Sequence, residues 1–229
     1  MASAAMVYYL WVAAGARFNG AERSRPILAP VENVSAPELL QEPTRANWVG
    51  ASTALAAIFE FSDLECPYCR RHSEVTFPQL KEGFVDSGKV LYVFKHFPIG
   101  ELHPAARSEA IIVECSGKQG AFWEALRFAF ASPAASQSSV WQQSWGAPFD
   151  RQAFASCLLN EDFIVSGDIN DGLASGVRST PSFIIALRTV RGTWAPRKLV
   201  RGARSHDEIV AAVNDVLASS LVNDRTEPQ

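Results

Sequence analysis

The stretch Ala54-Leu55-Ala56-Ala57-Ile58-Phe59-Glu60-Phe61-Ser62-Asp63-Leu64-Glu65-Cys66-Pro67-Tyr68-Cys69 decides the fold. Ala54 to Phe61 is a nearly unbroken apolar run, the pattern of a strand covered on both faces. Arg70 to Phe84 reads as a helix, with Phe77, Leu80 and Phe84 at i, i+3 and i+7 along an inward stripe. Two cysteines separated by two residues therefore lie at the seam between a strand and a helix. The first thiol falls at the helix N-terminus, where unpaired backbone N–H groups and the macrodipole favour a thiolate. The thiolate is the nucleophile of disulfide exchange, so this position sets reactivity. The same spacing also serves zinc sites. Zinc needs two further ligands, which would have to converge from Cys115, Cys157, His72 or His103. No second C-x-x-C occurs, and no metal is expected.

Pro78 removes one hydrogen bond from the helix and should kink it. Val90-Leu91-Tyr92-Val93-Phe94 then repeats the buried-strand pattern, completing a βαβ unit with a right-handed crossover and parallel pairing. Residues 104–176 are helical in pattern. Pro104 is placed to start a helix running to Ser116, and Phe122, Leu126 and Phe130 recur at i, i+4 and i+8. A Ser/Gln/Ala-rich loop spans 132–144. Asp150 is an N-cap candidate for a short helix carrying Phe154 and Leu158. Val165, Ile169 and Leu173 mark a further helix, weakened by Gly167 and Gly172. After Thr180-Pro181, residues 182–187 read as a strand and Lys198-Leu199-Val200 as its antiparallel partner. Ser205 caps a last helix with Ile209, Val213 and Leu217 in line. The order βαβ, helices, ββα is an α/β thioredoxin fold with a helical insertion at 104–176.

Outside residues 51–222 the chain is less regular. Met6 to Ala16 is an uncharged apolar run of 11 residues, short for a spanning helix and suited to an export signal, although no Lys or Arg precedes it. Residues 1–20 are accordingly expected to be a signal peptide or membrane anchor. Residues 21–50, rich in proline, are expected to be a linker, and 223–229 a frayed tail. A net charge of −3 offers no basic field for nucleic acid. Four cysteines are too few for a disulfide scaffold in 229 residues. Cys115 and Cys157 lie on apolar faces of two insertion helices. As free thiols they would be small buried hydrophobes; as a pair they would staple the insertion.

Several motifs together resemble the DsbA-like thiol–disulfide oxidoreductases. They are Glu60-Phe61-Ser62-Asp63, Cys66-Pro67-Tyr68-Cys69, Lys95-His96-Phe97-Pro98 with His103-Pro104-Ala105, Gly120-x-Phe122-Trp123-Glu124, and Gly176-Val177-Arg178-Ser179-Thr180-Pro181-Ser182-Phe183. They span about residues 54–218. The resemblance implies that Cys66 is the exposed attacking sulfur and Cys69 the buried resolving thiol. It makes Pro67 and Tyr68 the dipeptide that tunes thiolate stability, and Pro181, after Thr180, a cis-proline facing the sulfurs. A proline there offers no N–H and leaves neighbouring backbone free to pair with an extended substrate. Glu60 matches a buried acid beneath the disulfide, whose raised pKa suits a proton relay for Cys69. Some relatives carry a further disulfide in the insertion, so a Cys115–Cys157 bond is expected. The resemblance also implies an exported, periplasmic monomer without any cofactor beyond the Cys66–Cys69 disulfide. Its partners would be reduced, unfolded exported proteins and a quinone-linked membrane oxidase. A reductase or isomerase on the same fold is the main alternative, and a non-catalytic binding domain a lesser one.

Overall fold

The computed structural model describes residues 32–33, 46–131 and 150–223. Six strands form one mixed sheet in the order β1-β6-β5-β3-β4-β2. They are β1 (Glu32–Asn33), β2 (Trp48–Val49), β3 (Ala56–Ser62), β4 (Val90–His96), β5 (Ser182–Arg188) and β6 (Trp194–Arg201). The central strand β3 pairs parallel with β4, from Ala56 opposite Val90 to Ser62 opposite His96, and antiparallel with β5. All seven residues of β3 are buried, as its apolar run requires.

The crossover from β3 to β4 is helix α1, built of an α-helical turn (Pro67–Arg71), a π turn (His72–Thr76), a second α turn (Phe77–Leu80) and a second π turn (Lys81–Val85). The first π turn ends where Phe77 N–H bonds His72 O, just ahead of Pro78. The expected irregularity at this proline thus takes the form of a widened turn, a common response where the i→i−4 ladder is interrupted. The insertion supplies α2 (Ala106–Gly117), α3 (Phe122–Ala131), α4 (Arg151–Leu158) and α5 (Asp162–Ala174). Helix α6 (His206–Asn223) closes the fold; Ser205 Oγ accepts from Glu208 N–H while the Glu208 carboxylate accepts from Ser205 N–H, a capping box. Asp150 caps α4 through Gln152 and Ala153 N–H.

Alternation along β3 feeds two cores. Phe59 and Phe61 join Val93, Ile184 and Trp194 on one face, with Ile169 of α5 packed against them. Ile58 joins Leu80, Tyr92, Phe183 and Ile209 on the other, between α1 and α6. A third cluster links the start of α1 to the insertion through Leu64, Phe94, Phe122, Leu126 and Phe130.

Four expectations need correction. The supposed linker 21–50 contains β1 and β2, which pair with β6 and β4 and close both sheet edges. Two-residue strands carry no periodicity to read, and Gly50 turns the chain out of β2 at φ +112°, where a Cβ would strike Val90 O. On α5 the inward face is Val165, Asp168, Ile169 and Gly172, while Leu173 is exposed. Gly172 is no weak point there, because a Cβ would sit 2.7 Å from the Phe97 ring. Asp168 is drawn inward by Lys95 Nζ at 3.0 Å and His96 N–H at 3.0 Å, which tie α5 to the end of β4. Leu158, expected to face inward on α4, is also exposed. The loop 132–144, residues 1–20 and nearly all of the tail lie outside the described residues.

Cys115 of α2 and Cys157 of α4 are bonded, with Cα atoms 5.7 Å apart and 42 residues between them in sequence. Closing a loop of that length in the unfolded chain is worth about 2–4 kcal/mol. A Cys115→Ser/Cys157→Ser variant should therefore lose about that much stability in urea unfolding of the protein. An unchanged midpoint would show that the bond does not brace the insertion.

Candidate active site

Cys66 is the N-cap of α1 and Pro67 its first helical residue, so the chain turns from strand to helix at the first sulfur. Arg70 N–H bonds back to Cys66 O at 3.1 Å. Above the cysteines lies the loop before β5, with a cis Thr180–Pro181 bond. Cys66 Sγ lies 3.7 Å from Thr180 O. This loop explains one difference from expectation: Cys66 is only 5% exposed, whereas Tyr68 beside it is 63% exposed. Cys69 is fully buried.

The two thiols are unpaired in this structure and their environments diverge. The Cys66 pKa falls to about 5, first because the Cys69 thiol donates to it, with further lowering from Cys69 and Tyr68 backbone N–H groups and the Thr180 hydroxyl. Burial opposes that shift without reversing it. The Cys69 pKa is pushed well above that of an ordinary thiol, first by burial and then by the adjacent Cys66 sulfur. One sulfur is thus held as a thiolate and the other as a thiol.

Asp63 sets the loop that carries them. Its Oδ1 accepts from Glu65 N–H at 2.9 Å, and its Oδ2 accepts from Ile99 N–H at 2.7 Å and lies 2.9 Å from His103 Nδ1. Glu65 Oε2 accepts from Ala105 N–H at 2.7 Å, joining the same loop to the approach to α2. Asp63 N–H in turn faces Cys69 Sγ at 3.5 Å. These acids thus act as clamps on the segment 97–105.

Beneath Cys69, Glu60 is 3% exposed, and burial raises its pKa to about 7 against the lowering effects of Tyr92 and Ser62. Tyr92 Oη–H donates to Glu60 Oε2 at 2.6 Å, and His72 Nε2 lies 3.0 Å from the same phenol oxygen. A groove of ≈ 430 Å³ lined by residues including Glu60, Phe77, Phe94, Trp123 and Lys81 reaches this carboxyl. Tyr92, His72 and Asp63 were not singled out from sequence as parts of the site. The available signals were a phenol inside the apolar run 90–94 and an acid within Phe61-Ser62-Asp63. The residues that a zinc centre would have required are engaged elsewhere: Cys115 with Cys157, His72 with Tyr92, and His103 with Asp63.

The thioredoxin family model matches residues 43–203. The chain belongs to that family. Among solved structures it is similar to DsbA2 of Pseudomonas aeruginosa, at 27% identity and a TM-score of 0.60, covering 76% of this chain and 96% of the other. At 21% and 19% identity, α-DsbA1 of Wolbachia pipientis (TM-score 0.63, covering 81% and 96%) and oxidised BdbD of Bacillus subtilis (TM-score 0.61, covering 80% and 98%) share the fold. Curated relatives include the Na(+)/H(+) antiporter NhaA 3 of Salinispora tropica, 33% identical over 53% of this chain. The chain spans only 18% of that protein and 29% of the related NhaA 1 of Salinispora arenicola. No helix among the described residues is long and apolar enough to cross a membrane. Within this thioredoxin-family chain, the fold shared with DsbA2 brings Cys66 and Cys69 together at the start of α1 beneath the Thr180–Pro181 loop.

Alkylation of the reduced protein by iodoacetamide should modify Cys66 with a half-maximal rate near pH 5, because only the thiolate reacts. Cys69 should stay unmodified. A midpoint near 9, the ordinary thiol value, would show that the helix start does not activate Cys66.

Proposed function

We propose that this chain is a thiol–disulfide oxidoreductase that works as an oxidase, donating its Cys66–Cys69 disulfide to reduced, unfolded exported proteins. The observation that carries this reading is the opposite displacement of the two thiol pKa values. Reduction of the disulfide yields a stabilised Cys66 thiolate, and whatever stabilises the reduced form makes the disulfide a stronger oxidant. The linkage has a definite sign. The folded Cys66 pKa lies below its ordinary value, so its stabilisation of the reduced protein is complete above about pH 9 and disappears as pH falls through about 5.

In the forward reaction a substrate thiolate attacks Cys66 Sγ. The substrate–Cys66 bond forms, the Cys66–Cys69 bond breaks, and Cys69 leaves with the electron pair. In its dry site Cys69 takes a proton, which Glu60, poised with a pKa of about 7, supplies. A second substrate thiolate then attacks the substrate sulfur of the mixed disulfide and releases Cys66 as thiolate. Pro67 and Tyr68 shape the first turn that holds this thiolate. The Thr180–Pro181 loop and the exposed Tyr68 ring bound the surface where an extended substrate lies. No cofactor takes part beyond the disulfide. We assign the protein to the periplasmic space as a monomer, reoxidised by a quinone-linked membrane partner.

Oxidised protein mixed with a reduced peptide carrying two cysteines should yield peptide disulfide and dithiol enzyme in equal amounts. Cys66→Ser should abolish the transfer, and Cys69→Ala, loaded at Cys66 as a mixed disulfide with a peptide of one cysteine, should hold that adduct because neither Cys69 nor a second substrate thiolate is there to resolve it. Transfer that survives Cys66→Ser would refute the assignment of the nucleophile. Net reduction of a disulfide-bonded peptide by the dithiol form would favour the reductase reading.

A further inference from the structure

Glu60 and Ser62 are two residues apart on β3 and so project to the same face of the sheet. Both are buried, Ser62 to 1% exposure. One oxygen of Glu60 is committed, since Oε2 accepts the Tyr92 hydroxyl. The phenol has a single proton and gives it to Glu60, so His72 Nε2–H is the donor to Tyr92 Oη. Burial lowers the His72 pKa to about 3, so the imidazole is neutral and carries its one proton on Nε2. The remaining oxygen, Oε1, is buried without a hydrogen bond of ordinary geometry, and so is Ser62 Oγ. The residue after Ser62 places its N–H 3.5 Å from Cys69 Sγ. An uncommitted carboxyl oxygen, an uncommitted hydroxyl and the buried sulfur thus follow one another along one face of the site.

We propose that Ser62 is the proton-transfer residue between Cys69 Sγ and Glu60 Oε1, with Tyr92 and His72 fixing which oxygen of Glu60 takes part. The inference rests on the reading that Glu60 exchanges a proton with Cys69. In closure of the disulfide, Cys69 S–H gives its proton to Ser62 Oγ while the Ser62 O–H proton passes to Glu60 Oε1. The Cys69 sulfur then attacks Cys66 in the mixed disulfide and expels the thiolate bound there. In substrate oxidation the same proton returns to Cys69 as it leaves. Ser62 lies close enough to both groups to lower the pKa of Glu60 and of Cys69, and its one uncommitted proton can turn to either. Titratable and charged groups around the relay are Cys69 and His72 of α1, Asp63 of the loop, Tyr92 of β4, and His96, which pairs with Ser62 and lies 3.4 Å from Glu114 of α2. Lys81 of α1 and Glu124 and Arg127 of α3 line the groove that reaches Glu60. From β5, Phe183 opposes Glu60.

The test is the rate of closure of a pre-formed Cys66–glutathione mixed disulfide, followed by quenched flow from pH 5 to 9. Closure needs Glu60 unprotonated, so the wild-type rate should rise as pH climbs through about 7. Ser62→Ala and Ser62→Gly should slow closure about 10-fold or more at pH 7 and lose that limb, while Ser62→Thr keeps it. The Cys66 alkylation midpoint should not move in any of them, which separates loss of the relay from damage to the helix start. Closure within twofold of wild type with the limb intact in Ser62→Ala or Ser62→Gly, or loss of the limb in Ser62→Thr, would overturn the inference. Glu60→Gln distinguishes the two levels. If it preserves the limb, the Glu60 reading falls and this one with it; if it removes the limb while Ser62→Ala does not, only the role of Ser62 falls.

Discussion

The site depends on one constraint: a strand buried on both faces is joined to the first turn of a helix by only three residues, Asp63, Leu64 and Glu65. With that short link clamped by Asp63 and Glu65, Cys66 is the N-cap of α1 and Cys69 is buried in the core. Opposite chemistry at two sulfurs three residues apart follows from that geometry. Cys66 accepts from the Cys69 thiol and meets backbone N–H groups at the start of the helix, while Cys69 is held neutral by burial and by the adjacent Cys66 sulfur. Everything else in the active site either covers this seam, as Thr180–Pro181 does, or braces it, as Asp63 and Glu65 do.

The helical insertion is part of that bracing. It covers Cys66 and Cys69 through Phe122, Leu126 and Phe130, and it holds the approach to α2 against the active-site loop. Its own cohesion comes from the Cys115–Cys157 bond, the Lys118–Glu161 ion pair and the pairing of Arg107 with Asp162 at 2.6 Å. At the far end, Lys95 and the backbone of His96 anchor α5 to β4 through Asp168. The insertion and the sheet therefore meet at the C-terminal ends of β3 and β4, where ligand sites of open parallel strands also lie.

Much of this was legible in the sequence because the decisive signals were local. Two apolar runs, a helical stripe and a C-x-x-C between them specify the βαβ half, and Asp150 and Ser205 announce their helices through capping chemistry that needs no tertiary partner. What escaped were features created by contact between distant segments. The edge strands β1 and β2 exist only because β6 and β4 leave hydrogen-bonding edges open. Asp168 turns inward, against its polarity, because Lys95 and His96 N–H await it. Among the acids near the cysteines, Glu60 was recognisable through the resemblance of Glu60-Phe61-Ser62-Asp63 to the DsbA-like motif. The clamp made by Asp63 was not, since its partners Ile99 and His103 lie some 40 residues away.

The central claim is that the Cys69 thiol and the helix start together stabilise the Cys66 thiolate, and so the reduced form, enough to make the disulfide an oxidant. Equilibration of the Cys66/Cys69 couple with defined mixtures of reduced and oxidised glutathione tests it most directly. The account predicts a potential well above the glutathione couple, in the direction of the strongly oxidising members of this fold at about −120 mV. A potential near about −270 mV, where thioredoxin itself lies, would contradict it and leave a reductase.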